Sequence, residues 1–393
     1  MKYNLLVWTA HSCRRDVFLE ELERGNLPNY SSVVERGILF PSAVVGGHFQ
    51  RTSNLSEITG RPFHSPIHAR ENILNAAAHA GAFVGVVDDL VITEGAKYLA
   101  STGRIASVDE VYPRLIDRPR IKNPGLPKIE FLPDLAPERW LYWYRERSTH
   151  RNFYNYALAF RHEGGLLEDV VNETPAFVRD QQRYSLRLQD AWFGNTLRHL
   201  EAGGALDETV LVVFSSHGTS VESWLPLMKS ATRANVDHAA HNFHPHVSRS
   251  FAVVAGPGIH PGRRNEWISI MDLKPTLCRL LGIDDLGGSA YACDLLADEI
   301  PHDRILADVT SDEHYSLFHT ESGWLLMSVP RDKESDLPNV YGLPTSEDGL
   351  IAFRLDDDPM CATPRTQAFL DGDERKGFEA EIGRLGLKGL HRG

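Results

Sequence analysis

The feature that most constrains the fold is a set of unbroken apolar runs of strand length, separated by segments with helical periodicity. The runs are NLLVWTA (4–10), FVGVVDD (83–89), FYNYALAF (153–160), TVLVVFSS (209–216) and FAVVAGPG (251–258). Strands of a parallel sheet are buried on both faces, so they are continuously apolar rather than alternating. Helical patterns between the runs, such as 184–203 and 271–283, therefore favour an α/β protein with a doubly wound, mostly parallel sheet flanked by helices.

The pattern changes near Ile305, where short strands spaced by turn residues begin: ILADVT, YSLFHT, GWLLMSV and LIAFRL. This spacing predicts a small antiparallel sheet appended to the main one. We expect an α/β core over residues 1–304 and an antiparallel subdomain over 305–393. Residues 104–151 are rich in proline, arginine and aromatic side chains without a clear period, which favours an insertion made of loops.

Composition limits the partners of this chain. The 393 residues carry a formal net charge of −12, which disfavours nucleic acid as the main partner. No apolar run approaches the roughly 20 residues needed to span a bilayer, and the N-terminal run is too short for a signal peptide. The cysteines are widely spaced without a CxxC pair, which suits reduced thiols. We therefore expect a cytoplasmic protein that binds neither nucleic acid nor membrane; an oligomer is possible.

Several segments, in order along the chain, resemble the alkaline phosphatase superfamily, and most closely its sulfatase-like branch. The segments are NLLVWTAHSCRRD, LPNYSSVVERGILFPSAV, SNLSEITGR, VLVVFSSHG, AGPGIHPGRRNEWISIMDLKPTLCRLLGI and LIAFRLDDDPM. The first is similar to the strand and loop that hold metal-binding aspartates, the third to the helix behind the nucleophile, and the fourth to a strand ending in TSDHG. The resemblance implies the α/β fold, with a site at the carboxyl ends of its strands.

The residues at the family's chemical positions depart from the family pattern. His11 stands where the first strand supplies an aspartate, and Ser216, followed by His217, stands where TSDHG has its aspartate. Gln50 falls at the position of the nucleophile, so no formylglycine is expected. Calcium and magnesium need several oxygen ligands, with carboxylates usually among them, so neither ion is expected here.

Three interpretations of the altered site remain open. Histidines near strand ends could hold a transition metal, with zinc as the first candidate, because imidazole is a good zinc ligand. These candidate ligands are His11, His162, His217, His238 and His241. Alternatively, a metal-free cationic pocket could bind phosphate, sulfate or carboxylate through guanidinium and imidazole groups. The candidate substrate-binding residues are Arg14, Gln50, Arg51, His162 and Ser216. The third interpretation is that the histidines only make ordinary hydrogen bonds.

Candidate catalytic residues follow from the same alignment. Thr52 and Ser53 would reach the nucleophile position after a shift of two or three residues, with His11 and His217 as acid and base. Asp190 and Asp272 are expected to cap or brace helices. The sequence favours a divergent hydrolase or group transferase, with a biosynthetic role as one option, that acts on a small anionic substrate. The alternative is an inactive homologue that binds or scaffolds.

Overall fold

The computed structural model describes most of the chain. The described residues are 1–47, 50–62, 71–87, 105–106, 139–146, 149, 175–219, 243, 245–285, 291–301, 303–309, 311–328, 349–359, 361 and 363–388. The predicted strand at 153–160 lies outside them, as do His162, His238 and His241. The side chains of Gln50 and Arg51 are also outside the description.

The large sheet is mostly parallel, as predicted. Within the described residues its strands are β1 (Asn4–Ala10), β2 (Gly37–Val44), β3 (Phe83–Val87), β4 (Ile105–Ala106), β5 (Trp140–Glu146), β6 (Thr209–Phe214), β7 (Arg249–Ala255), β8 (Gly262–Arg263) and β9 (Ile268–Ser269). Their order is β4-β3-β5-β1-β6-β7-β2-β8, and β9 pairs with β2. Strands β4, β3, β5, β1 and β6 are mutually parallel, whereas β7 is antiparallel to both β6 and β2. The carboxyl ends of β5, β1 and β6 therefore lie side by side.

Helices cover both faces of this sheet: α1 (Arg15–Glu23), α2 (Pro28–Val34), α3 (Gln50–Thr59), α4 (Ile73–His79), α5 (Pro175–Ala202), α6 (Pro245–Ser248) and α7 (Leu273–Leu281). Alternate residues of β1 enter opposite cores. Val7 packs in the cluster that contains residues of α3, α4 and α7, and Trp8 packs in the cluster that contains residues of α1, α2 and α5. Burial on both faces explains why β1 is continuously apolar.

Strand β5 corrects the sequence prediction. It lies inside residues 104–151, where loops were expected, and it pairs in parallel with β1 and β3. Trp140 and Tyr142 enter one core, whereas Leu141 and Trp143 enter the other. A strand that fills both faces with aromatic side chains has no alternation, and the proline-rich and arginine-rich residues before it conceal the run.

The C-terminal antiparallel sheet is confirmed. It consists of β10 (Ile305–Val309), β11 (Tyr315–His319), β12 (Trp324–Ser328) and β13 (Leu350–Arg354), in that order. Residues of α8 (Thr366–Leu370) and α9 (Arg375–Leu385) pack on one face. On the other face Phe318 and Leu325 share an apolar cluster with Val44 and Phe243, so the two sheets have a common core.

The two aspartates expected to cap or brace helices have that role. Asp190, on α5, accepts hydrogen bonds from the backbone N–H groups of Asn29 and Tyr30 at the start of α2. Asp272 forms a capping box with Ser269 before α7: its carboxylate accepts from the backbone N–H of Ser269, and the hydroxyl of Ser269 accepts from the backbone N–H of Met271. No helix in the described part of the chain is long and apolar enough to cross a bilayer.

Candidate functional site

The tips of β1 and β6 bring together three residues predicted for the site. Ala10 ends β1 and is followed by His11, and Phe214 ends β6 shortly before Ser216 and His217. The Nδ1 atom of His11 lies 2.9 Å from the Oγ atom of Ser216. The rings of His11 and His217 meet edge to face, with centroids 4.7 Å apart. All three side chains are buried, so they form a compact cluster below the surface.

Two charged residues that were not predicted from the sequence complete this cluster. Arg145, on β5, donates from Nη1 to Nδ1 of His11 at 3.1 Å. Its Nη2 donates to Oε2 of Glu57, on α3, at 2.9 Å. The side chains of Arg145 and Glu57 are 0% and 1% exposed, so this ion pair lies inside the protein. We call His11, Glu57, Arg145, Ser216 and His217 the strand-tip cluster.

For the neutral form of each histidine, the hydrogen-bond partners indicate which ring nitrogen carries the proton. A guanidinium group only donates, so Nδ1 of His11 is an acceptor and its proton is on Nε2. The Nδ1 atom of His217 lies 2.7 Å from the carbonyl oxygen of Gly218, which only accepts, so this Nδ1 carries the proton. The two neighbouring imidazoles therefore have opposite tautomers, with an N–H at Nε2 of His11 and a lone pair at Nε2 of His217.

Loop contacts hold the two strand tips in register. The carbonyl of Ser12 accepts hydrogen bonds from Oγ1 of Thr219 at 2.9 Å and from Nε2 of Gln182 at 2.8 Å. Ser12 itself has a left-handed backbone, with φ of 61°. A Cβ on Gly218 would overlap the carbonyl oxygen of His246, so only glycine fits at this close approach of two backbone segments.

Arg14 is buried and forms an ion pair with Asp16, which is partly exposed. Its Nε and Nη2 donate to the two carboxylate oxygens of Asp16 at 2.9 and 2.7 Å, and its Nη2 lies 3.1 Å from Nε2 of His246. Burial alone would raise the pKa of Asp16, but the hydrogen bond and charge of Arg14 outweigh it and lower that pKa to about 2. These contacts brace the start of α1; the substrate-binding role of Arg14 stays a prediction.

The candidate nucleophiles Thr52 and Ser53 lie on the first turns of α3. Both are buried, with exposures of 2% and 0%. A Cβ on Gly47 would lie 2.5 Å from Oγ1 of Thr52, so this hydroxyl packs closely against the Gly47 backbone. This packing gives no direct support to Thr52 as a nucleophile, and the role of both residues stays a prediction.

The strand-tip cluster does not fit a metal ion as it is arranged. Glu57 is the one carboxylate of this cluster, and it is paired with Arg145, so these five described residues do not offer the oxygen donors that calcium and magnesium require. Zinc would need a lone pair from each histidine. Nδ1 of His11 already accepts from Arg145 and its Nε2 is protonated, and a bound metal would bring a second cation next to the guanidinium.

A different group of potential metal ligands lies at the C-terminal sheet, and it was not predicted from the sequence. Ligand atoms of Asp303, His319 and Glu321 lie within 4.8 Å of one another, so these residues could hold a metal ion. Nε2 of His319 is 2.5 Å from Oδ1 of Asp303, and its Nδ1 is 2.6 Å from Oγ of Ser322. Asp303 and Glu321 are exposed, so water competes for this group.

Comparisons with known proteins agree on the fold. No family model matches the sequence, and no curated protein matches it. Solved structures match over nearly the whole chain. A 2-O GAG sulfatase has a TM-score of 0.68 at 12% identity, covering 98% of this chain and 93% of that one. The phosphonate monoester hydrolase of Agrobacterium radiobacter has a TM-score of 0.61 at 16% identity, covering 98% and 95%.

A protein in the alkaline phosphatase superfamily from Vibrio parahaemolyticus has a TM-score of 0.59 at 14% identity, covering 97% of this chain and 85% of that one. The chain thus has the fold of the alkaline phosphatase superfamily, in its sulfatase-like form, as the sequence resemblance predicted. At these identities the likeness concerns the fold, and the chemistry must be argued from the strand-tip cluster.

Proposed function

We propose that this protein is a divergent hydrolase or group transferase that acts on a small anionic molecule at the tips of β1 and β6. The observation that carries this function is the edge-to-face contact between the two buried histidines, His11 and His217, beside the guanidinium of Arg145. An N–H donor and a lone-pair acceptor in adjacent rings suit acid and base catalysis, because imidazole titrates near neutral pH.

The hydrogen-bond donors of the cluster support an anionic substrate, although the net charge of the cluster is zero when both histidines are neutral. Arg145 is always protonated, and its partner Glu57 neutralises it on the side that faces α3. Nε2–H of His11 can donate to an oxyanion while Nδ1 keeps its bond to Arg145. The two relatives named for their activity are a sulfatase and a phosphonate hydrolase, which makes sulfate, phosphate and phosphonate esters the first substrates to test.

We further propose a cytoplasmic location, without nucleic-acid or membrane partners. The net charge of −12 supports this, as do the four free cysteines, three of which are buried. If the protein binds zinc, we expect the site at Asp303, His319 and Glu321, because these residues offer two carboxylates and an imidazole.

The test uses untagged full-length protein with aryl sulfate, aryl phosphate and phosphonate monoester substrates, each with and without EDTA. We expect turnover that survives EDTA and that falls by about 10²–10⁴ in His217→Ala, the range for loss of a general acid or base. His79→Ala is the matched control, because its Nδ1 bonds a carbonyl within α4. Turnover that depends on added magnesium or calcium would contradict the proposed function.

A catalytically inactive binding protein is the second candidate, and the burial of Thr52 and Ser53 favours it. Calorimetric titration with inorganic sulfate and phosphate separates the two. An inactive homologue would bind one of these anions, lose that binding in His11→Ala, and turn over no ester on the panel. Turnover together with binding excludes this second candidate.

A further inference from the structure

We infer, building on the proposed function, that Arg145 anchored by Glu57 is a fixed cation of the strand-tip cluster. It is a positioning residue that holds His11 as a neutral Nε2–H donor and keeps metal ions out of this cluster. The anionic substrate would therefore accept a hydrogen bond from Nε2–H of His11, whose Nδ1 is bonded to the guanidinium of Arg145.

The backbone sets up this arrangement. Arg145 pairs with Thr9 across the parallel β5–β1 ladder, two residues before His11. Its side chain therefore needs to reach only a short way forward, past the end of β1, to contact His11. Oγ1 of Thr149 donates to the carbonyl of His11 at 2.6 Å, so the segment after β5 also holds the histidine backbone.

Burial makes the guanidinium immobile. Its exposed fraction is zero, and the carboxylate that balances it comes from the last turn of α3. A buried charge remains beside its partner, because separating the two would leave a cation and an anion unpaired in the low-dielectric interior. Arg145 therefore cannot turn aside to admit a divalent cation beside His11 unless the ion pair with Glu57 breaks.

Ser216 offers the competing arrangement. Its hydroxyl can donate to Nδ1 of His11 or accept from it, at the same 2.9 Å. Of the described contacts of His11, the one with the guanidinium requires Nδ1 to be the acceptor. Without Arg145, a His11 ring protonated at Nδ1 would satisfy Ser216 equally well, and Nε2 would then become a lone-pair donor of the kind that binds zinc.

The first experiment reads the tautomer of His11 by ¹⁵N NMR of protein labelled at histidine, with the His11 signals assigned by their loss in His11→Gln. We expect the proton on Nε2 in the wild type and in Ser216→Ala. In Arg145→Met we expect a mixture of tautomers, with Arg145→Lys intermediate. A wild-type proton on Nδ1, or an unchanged tautomer in Arg145→Met, would overturn the inference. Circular dichroism checks that each variant is folded. If Arg145→Met does not fold, the tautomer of His11 in Arg145→Lys is the test.

The second experiment titrates zinc alone into untagged protein. We expect His11→Ala to bind the same number of zinc equivalents as the wild type, because His11 is not a ligand. Loss of one equivalent in His11→Ala would overturn the inference. Zinc bound at Asp303, His319 and Glu321 is recognised separately by its loss in His319→Ala.

Neither experiment uses a substrate or an anion. A wild-type protein that binds no sulfate or phosphate and hydrolyses no ester would therefore contradict the proposed function. The tautomer and the zinc count would still decide the role of Arg145.

Discussion

At the scale of single residues, the Glu57–Arg145 pair depends on both partners being present. Removing one charge from a buried pair leaves the other without compensation, and this costs about 3–5 kcal/mol. We expect Glu57→Gln to lower the free energy of unfolding by that amount, measured by urea denaturation. Glu208→Gln is the matched control, because the ion pair of Glu208 with Arg139 is exposed and should contribute at most about 1 kcal/mol. Equal losses in the two variants would contradict a buried pair.

The Asp16–Arg14 pair predicts a stability that depends on pH. The pKa of Asp16 in the folded protein, about 2, is below the ordinary value of aspartate, which is about 3.9. The pair therefore stabilises fully above the ordinary pKa, and this contribution is lost as the pH falls through the folded pKa. We expect the stability difference between wild type and Asp16→Asn to shrink from about pH 4 to about pH 2 in denaturant titrations. A difference independent of pH would rule this out.

The sequence identified one part of the site and missed another. His11, Ser216 and His217 were predicted because they follow apolar runs, and parallel strands end at a common edge. Arg145 and Glu57 are 88 positions apart and meet only through the contact between a strand and a helix. No local pattern marks such a pair, and the strand that carries Arg145 was itself taken for loop.

At the scale of elements, the loop after β6 depends on Gly218. A Cβ there would meet the carbonyl oxygen of His246, and a backbone atom cannot move aside as a side chain can. We expect Gly218→Ala to cost about 1–3 kcal/mol in urea unfolding and to weaken sulfate or phosphate binding by moving His217. Gly377→Ala, within α9, is the control. Its Cβ would meet nothing within 4 Å, so this variant should gain up to about 1 kcal/mol.

The strands themselves were predicted to different degrees. β1 and β6 were located within one or two residues, since aliphatic side chains fill both faces of each. β5 is equally buried, but its sequence is WLYWYRE, in which aromatic rings replace the aliphatic run. The prolines and arginines of the residues before it dominate the composition of 104–151, so composition favoured a loop although aromatic residues are typical of strands.

At the scale of the whole molecule, the two sheets are joined by polar as well as apolar contacts. Nη1 and Nη2 of Arg304, one residue before β10, donate to the two carboxylate oxygens of Asp272, before α7, at 2.9 and 2.8 Å. Residues of the C-terminal sheet also share an apolar cluster with Val44 and Phe243. We therefore expect the sheets to unfold as one unit, although the sequence predicts two regions divided at residue 304.

Thermal unfolding followed by far-ultraviolet circular dichroism and by tryptophan fluorescence checks this expectation. The two probes should report a single transition with the same midpoint. Leu325→Ala, in the shared cluster, should lower that common midpoint, because truncating a buried leucine costs about 2–5 kcal/mol. Two separated midpoints would mean that the C-terminal sheet unfolds by itself.

The guanidinium at the tips of β1 and β6 also affects how the protein would respond to its surroundings. The charge of an arginine side chain is part of the polypeptide, so unlike a bound metal ion it does not have to be acquired after synthesis. A chelator cannot remove it. It remains in place from the moment the chain folds, whatever the local supply of divalent ions. A shortage of divalent ions would therefore leave this charge of the strand-tip cluster unchanged.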